Sequence, residues 1–246
     1  MIRHAVRYGL LASVLGVLAA TPASADLLGP SAYLCFDRTA VSGCGTADSP
    51  FAASVANGDF SGGYFHLETF EDHLFNTPGI SANTGFVTSE SPAFATIHDS
   101  VDADDGSIDG SGLAGDSYFA SLSVTFTFDE AALGDLPTSV GLVWTDGANP
   151  VTFTAYDETG TVIETIVTNI ADASIVGETA EDRFFGVTHA AGIWKLTVSD
   201  PAGIEVDHIQ YGFARTVPTG VPEPATLAVL GFGLAGLAWA RRKRAV

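Results

Sequence analysis

The strongest constraint on the fold is a strict alternation of apolar and polar side chains at residues 121–128. Leu122, Val124, Phe126 and Phe128 alternate there with serine and threonine. A period of two puts every apolar side chain on the same face of an extended strand, whereas a helix would spread them around its axis. The segment therefore predicts a β-strand with one buried face.

Similar short runs recur between residues 60 and 213, separated by glycine, aspartate, asparagine and proline. Together with the first run they predict about nine strands. The other eight are residues 64–70, 93–98, 140–145, 151–156, 161–167, 183–188, 192–198 and 204–213. Because no segment between the two ends of the chain has a convincing helical period, the predicted fold class is all-β, a jelly-roll-like β-sandwich.

One turn can be placed precisely. Residues 157–160, Asp-Glu-Thr-Gly, separate two β-rich runs. Glycine adopts positive φ at no steric cost, which favours it in hairpin turns. The runs at residues 151–156 and 161–167 are therefore predicted to pair.

The first 25 residues have the organisation of a secretory signal. Arg3 and Arg7 precede an apolar run at residues 10–20, and Ala-Ser-Ala at residues 23–25 is a pattern that signal peptidase accepts. The run is about half as long as the roughly 20 apolar residues that a membrane anchor needs. Residues 1–25 are predicted to be a cleaved signal peptide, and residues 26–213 to form the exported domain.

The other end of the chain resembles a membrane anchor. Residues 225–240 are almost entirely apolar and uncharged, and the basic residues Arg241, Arg242, Lys243 and Arg244 follow at once. As a helix this segment would span about 24 Å at 1.5 Å per residue, slightly less than the hydrocarbon core. Basic residues prefer the cytoplasmic side. We therefore expect a transmembrane helix with an internal basic tail at residues 241–244, joined to the domain by a linker at residues 214–221.

Pro222, Glu223 and Pro224 stand directly before the apolar segment. Two prolines fix φ and remove two amide donors, so this element stays extended and accessible. The order of elements in residues 222–246 resembles the PEP-CTERM sorting signal of Gram-negative bacteria. The resemblance implies export across the inner membrane, processing by a membrane-embedded exosortase, and a final place on the cell surface or in the extracellular matrix. An ordinary linker before a single-pass anchor is the alternative.

The charge of the exported part limits its partners. Residues 26–220 include four basic and 28 acidic residues, a formal charge of −24. Nucleic acid and anionic lipid are therefore excluded as partners of the domain, because phosphate contacts need lysine and arginine. Cations are favoured, although much of this acidity serves to keep an exported protein soluble.

Asp102, Asp104, Asp105 and Asp109 lie in an acidic run that also contains glycine, and the run has the look of a calcium loop. Calcium takes six to eight oxygen ligands, which closely spaced carboxylates can supply. Gly106 stands where the EF-hand pattern has its third acidic residue, so a solvated acidic turn is the alternative.

A second acidic group consists of Glu68, Glu71 and Asp72 in one segment and Glu205 and Asp207 in another. Glu68, Asp72 and Asp207 are its candidate calcium ligands. The segments that carry them resemble the first and last strands of carbohydrate-binding-module jelly rolls, and this resemblance implies that their acids meet around a structural calcium. Asp207 has the same parity as Ile209 and Tyr211, so its side chain is expected on the apolar face. A buried carboxylate there needs a partner, and a hydrogen-bonded core aspartate would satisfy this equally well.

Cys35 and Cys44 are the only cysteines of the chain. An oxidising compartment favours a disulfide between them. A zinc site is excluded at this place, because two thiolates alone leave the metal short of ligands.

No catalytic motif stands out. The fragment Gly-Asp-Ser at residues 115–117 is reminiscent of some esterases, but it precedes a β-rich run instead of joining a strand to a helix. The leading hypothesis is a non-enzymatic surface or matrix protein that binds extracellular polysaccharide.

Exposed aromatic side chains would support polysaccharide binding, because they stack on sugar faces. The candidates are Trp144, Tyr156, Tyr118 and Trp194. The alternatives are a secreted glycoside hydrolase or another carboxylate-dependent hydrolase, which would need two acids in one cleft, and a purely structural surface module.

Overall fold

The computed structural model describes residues 24–36, 49–91, 93, 100–101, 115–171 and 182–215. These residues form twelve strands, two short helices and one 3-10 turn. The strands are β1 Ala25–Ala32, β2 Tyr64–Glu68, β3 Ile80–Ala82, β4 Phe86–Val87, β5 Tyr118–Ala120, β6 Ser123–Phe128, β7 Ser139–Gly147, β8 Val151–Tyr156, β9 Val162–Thr168, β10 Arg183–His189, β11 Lys195–Ser199 and β12 Ile204–Phe213. The helices are α1 Ala52–Asn57 and α2 Glu130–Leu133, and the 3-10 turn is Thr88–Glu90.

The strands build two antiparallel sheets that pack face to face. The larger sheet has the order β1-β10-β7-β12-β5-β4, and β2 also pairs with β12. The smaller sheet has the order β3-β6-β11-β8-β9. The predicted all-β sandwich is confirmed, as is the pairing of β8 with β9. The expected strand number was too low, because β1, β3, β4 and β5 were not recognised in the sequence.

The alternation predicted for residues 121–128 is visible in β6. Val124, Phe126 and Phe128 are completely buried, as predicted. Leu122 is 58 % exposed, because the strand begins only at Ser123. The prediction was therefore correct for three of the four apolar side chains and wrong for Leu122.

An aromatic stack joins the two sheets. Phe153 of β8 lies in the smaller sheet and Phe185 of β10 in the larger one, with ring centroids 3.6 Å apart and ring planes 14° from parallel. Both side chains are at most 3 % exposed. Burying two aromatic rings at this point contributes several kcal/mol of the hydrophobic stabilisation of the sandwich.

The larger sheet is covered on its second face as well. Tyr33, Phe51, Val101, Val143 and Phe184 form a separate buried group, which we call the outer cluster. Val143 and Phe184 belong to adjacent strands of the sheet. Segments before β2 and a short piece before β5 therefore cover the face that is turned away from the smaller sheet.

The strand registers place both ends of the domain at the same end of the sandwich. Ala25 at the start of β1 lies opposite His189 at the end of β10. Ser139 at the start of β7 lies opposite both Thr188 of β10 and Gly212 near the end of β12. We call this end, marked by Ala25, Ser139, His189 and Gly212, the terminal end.

Several predictions fall outside the described residues. They concern most of the signal peptide, the strand at residues 93–98 except for Ala93 in a turn, the linker beyond Arg215, and all of residues 222–246. Within the part of the chain that the structure describes, no helix is long and apolar enough to cross a bilayer. The transmembrane helix at residues 225–240 therefore stays a prediction.

Replacing Phe153 by alanine is expected to destabilise the exported protein by about 3–5 kcal/mol, because the change removes the ring stack and leaves a cavity between the sheets. Denaturant unfolding monitored by circular dichroism measures this loss. The control Leu122→Ala changes an exposed side chain and should stay within about 0.5 kcal/mol of the unmodified protein. A similar unfolding midpoint for Phe153→Ala and Leu122→Ala would contradict the packing described here.

Candidate functional site

An open cleft of about 470 Å³ lies at the terminal end of the sandwich. It is bounded by the connection between β6 and β7, by the β8–β9 hairpin and by the residue that precedes β11. Its lining residues are Thr127, Phe128, Asp129, Glu130, Ala131, Leu136, Glu158 and Trp194. The cleft thus combines one large aromatic side chain with three carboxylates.

The backbone on both sides holds Trp194 in place. Its N–H donates to the carbonyl of Tyr156 over 2.8 Å, and its own carbonyl accepts from the N–H of Phe128 over 2.9 Å. The preceding Ile193 is completely buried and anchors the segment in the core. These contacts fix the backbone at Trp194. Its side chain is half-buried and forms one wall of the cleft.

One face of the Trp194 ring is already occupied. The ammonium nitrogen of Lys195 lies 3.5 Å from the ring centroid. A cation over an indole face is attracted by the quadrupole of the ring. A sugar that stacks on Trp194 would therefore use the other face or displace the lysine side chain.

The carboxylates around the cleft have different local roles. Asp129 caps helix α2, since its side chain accepts a 2.9 Å hydrogen bond from the N–H of Ala131. Glu130 and Glu158 are exposed. Their oxygens can accept hydrogen bonds from hydroxyl groups of a ligand, which is how carboxylates bind neutral sugars.

Hydrogen bonds to Asp157 close the β8–β9 hairpin that carries Glu158. Asp157 accepts hydrogen bonds from the N–H groups of Thr159 and Thr161, at 2.9 and 2.8 Å. The side-chain hydrogen bond from Thr159, followed by these backbone bonds, holds the pKa of Asp157 below its usual value. Gly160 has a φ of 80°, as the predicted turn requires.

The four aromatic residues predicted as candidates for sugar binding differ in their solvent exposure. Trp144 and Tyr118 are buried in the core, and Tyr156 is half-buried. Trp194 alone among these four lines the cleft.

Glu68, one of the predicted calcium ligands, organises the loop that follows β2. Its carboxylate accepts hydrogen bonds from the N–H groups of Phe70, Asn76 and Thr77 and from the hydroxyl of Thr77, at 2.5 to 3.2 Å. These four donors satisfy a side chain that is only 4 % exposed.

Asp72 lies in the same loop and is exposed. Its carboxylate accepts from the N–H of Leu74 and from the side-chain amide of Asn76, at 3.1 and 2.7 Å. The structure thus gives Glu68 and Asp72 the common role of closing this loop.

Asp207 does not point where its sequence parity predicted. Residue His208 has a φ of 44°, and one extra residue lies in β12 between the pairs Asp207–Val143 and Gln210–Gly141. This bulge turns Asp207 to the face of the sheet that carries Val143 and the outer cluster, opposite the face of Ile209. The prediction that Asp207 shares the apolar face of Ile209 is therefore wrong.

The carboxylate of Asp207 is surrounded by donors on that outer face. It accepts from the hydroxyl of Ser100 and the N–H of Val101, at 3.0 and 2.9 Å. Glu68 lies opposite Ile209 in the register, on the other face. Since the two acids face opposite sides of the sheet and have separate partners, the structure does not bring them together.

No group of three or more histidine, cysteine, aspartate and glutamate side chains that could hold a metal ion is present among the described residues. Asp102, Asp104, Asp105 and Asp109 lie outside them. Cys35 is buried and disulfide-bonded, and its predicted partner Cys44 also lies outside the described residues.

The structure also shows a histidine–carboxylate pair that the sequence analysis missed. His73 Nδ1 contacts the carboxylate of Asp116, which is held in turn by the N–H of Ser89 at 3.0 Å. The N–H of Asp116 donates to the carboxylate of Glu71 over 2.7 Å. Because the two partners are 43 positions apart, no local spacing in the sequence could have revealed the pair.

Ser117, which follows Asp116, is not an exposed nucleophile. It is completely buried, and its N–H donates to the hydroxyl of Thr88 over 3.0 Å. It also stands directly before strand β5, not at the start of a helix. Both observations agree with the rejection of an esterase-type serine.

Residues 220–243 match the family model described as the PEP-CTERM protein-sorting motif. The chain carries a PEP-CTERM sorting motif. The match includes Pro222, Glu223, Pro224 and the basic residues from Arg241 to Lys243. A PEP-CTERM motif implies an exported protein that associates transiently with the membrane of a Gram-negative bacterium and is processed by an exosortase.

The PEP-CTERM match covers residues 220–243 and does not include the β-sandwich. No curated protein matches the chain. A solved structure, the enzymatically active domain of tailspike protein 4 of bacteriophage CBA120, is similar with a TM-score of 0.31 and 13 % sequence identity. The similarity covers 59 % of this chain and 21 % of the tailspike chain, and so distant a likeness says nothing about function.

The His73–Asp116 pair predicts a measurable pH dependence. The hydrogen bond that the His73 ring donates to the Asp116 carboxylate, followed by the negative charge of Asp116, raises the pKa of His73 above the usual value of about 6.5. The pair therefore stabilises the fold at pH values below the pKa that His73 has in the unfolded chain, and this contribution is lost as the pH rises through the folded pKa.

An NMR titration of the His73 ring should show a higher midpoint in the unmodified protein than in Asp116→Asn. Asp72→Asn is the matched control, because Asp72 influences the pKa of His73 less than Asp116 does. Equal midpoints in the unmodified protein and Asp116→Asn would show that the pair does not form in solution.

Proposed function

We propose that this chain is a non-enzymatic protein of the cell surface or extracellular matrix, and that its β-sandwich binds extracellular polysaccharide in the Trp194 cleft. The PEP-CTERM motif carries the first half of the proposal, because it implies export and exosortase processing. The predicted helix at residues 225–240 would hold the chain in the inner membrane until the exosortase processes it.

The chemistry of the cleft supports the second half. Sugar rings present apolar C–H faces that pack on aromatic side chains, and Trp194 offers such a surface at the edge of an open cleft. Glu130 and Glu158 place hydrogen-bond acceptors around it. A cleft with these carboxylates, on a domain with a formal charge of −24, favours a neutral polysaccharide over an anionic one.

The proposal includes calcium only for the acidic run from Asp102 to Asp109. Closely spaced carboxylates with intervening glycine support it. Thermal melts of the exported protein in calcium, in magnesium and in chelator would test it, with Asp104→Asn as the variant.

Replacing Trp194 by alanine is expected to weaken polysaccharide binding about tenfold, equivalent to about 1.4 kcal/mol, because the stacking surface is lost. The measurement is affinity electrophoresis of the exported protein in gels that contain either extracellular polysaccharide of the producing cells or dextran. Leu122→Ala is the control, since it removes an exposed apolar side chain at the opposite end of β6.

If Trp194→Ala and the unmodified protein were retarded equally, the polysaccharide would bind at a site other than the Trp194 cleft. No retardation of any variant in either polysaccharide would contradict the binding proposal. New reducing ends in the gel would indicate the hydrolase alternative instead.

A further inference from the structure

The chain leaves the domain next to the Trp194 cleft. The N–H of Ala214 donates to the hydroxyl of Thr138 over 3.3 Å. The guanidinium of Arg215 lies 3.9 Å from the carboxylate of Asp135. Both partners belong to the connection between β6 and β7, so the exit of the chain is attached to this connection.

The same connection forms a wall of the cleft. Asp129, Glu130 and Leu136 belong to it and line the cleft. The carbonyl of Pro137 accepts a 2.8 Å hydrogen bond from the N–H of Ile193, the neighbour of Trp194. The cleft and the chain exit therefore lie together on the terminal end of the sandwich.

The opposite end of the sandwich lies far from this exit. Ala202, in the turn between β11 and β12, is exposed there. Strand β12 has ten residues, which correspond to about 33 Å at the usual rise per residue.

The segment between the exit and the predicted helix is short. Residues 216–224 number nine. A flexible chain of this length has an end-to-end distance of about 15–18 Å, and even a fully extended one reaches only about 30 Å. With residues 225–240 in the bilayer, a chain of nine residues would keep the terminal end within about 30 Å of the bilayer surface.

We propose that the terminal end faces the membrane while the chain is anchored, and that the cleft becomes fully accessible to a polymer only when processing releases the domain. A polysaccharide needs free space on both sides of the cleft, and a bilayer within about 30 Å would restrict that space for a bulky polymer. The inference rests on the proposed function, because it concerns the regulation of the same cleft. It can be tested without any glycan.

The test measures the accessibility of single cysteines in the full chain reconstituted in phosphatidylcholine vesicles. Glu158→Cys places a thiol at the cleft, and Ala202→Cys places one at the opposite end; Glu130→Cys is a second cleft variant. Each chain carries a protease recognition sequence in place of residues 216–220. Labelling with a polyethylene-glycol maleimide is followed before and after cleavage, and a small maleimide serves as the control reagent.

In the anchored chain we expect the bulky reagent to label both cleft positions several-fold more slowly than position 202. After cleavage the rates should become similar, and the small reagent should label all positions at similar rates in both states. Equal bulky-reagent rates in the anchored chain, slower labelling at position 202, or failure of the chain to float with the vesicles would each overturn the inference. None of these outcomes bears on whether Trp194 binds sugar, which the electrophoresis of Trp194→Ala decides separately.

Discussion

The architecture depends on the burial of strand β12. Its residues from Ile204 to Gly212 are all buried, and the strand pairs with β7 on one side and with β2 and β5 on the other. A polar group on such a strand must find its partner inside the protein, because water does not reach it. Gln210 meets this demand through Ser49 and Tyr33, which attaches the segments before β2 to the sheet.

The same demand explains why the larger sheet has two buried faces. His208 bonds to the hydroxyl of Tyr33 over 2.9 Å, and the bulge turns Asp207 to the same side. The outer cluster then excludes water from these polar contacts. Strand β12 ends at the terminal end of the sandwich, where the chain leaves the domain. The connection from β6 to β7 contacts this exit and also lines the Trp194 cleft.

The elements that could be predicted from the sequence are those that depend on regular local patterns of residues. The alternation in β6 and the glycine turn after Asp157 required no knowledge of distant residues. The turn was correct, and the alternation was correct for every apolar side chain except Leu122. Strands β3 and β4 have three and two residues, too few to show a period. The bulge at His208 was missed because a histidine with positive φ leaves no signal in the sequence, and a single extra residue reversed the expected direction of Asp207. From the sequence, Trp194 was one of four aromatic candidates. Only the three-dimensional packing shows that Trp194 lines a cleft whereas Trp144 is buried in the core.

We propose that the domain reaches its destination through the motif at Pro222, Glu223 and Pro224. The most direct measurement is the intact mass and cell fraction of the protein from cells that express the Pro222→Ala, Glu223→Ala double variant, with the linker variant Pro218→Ala as control. We expect the unmodified protein and Pro218→Ala to lose the basic tail and leave the inner membrane, and the double variant to be exported but to keep the tail and stay in the membrane fraction. A double variant with the same mass and location as the unmodified protein would contradict the account.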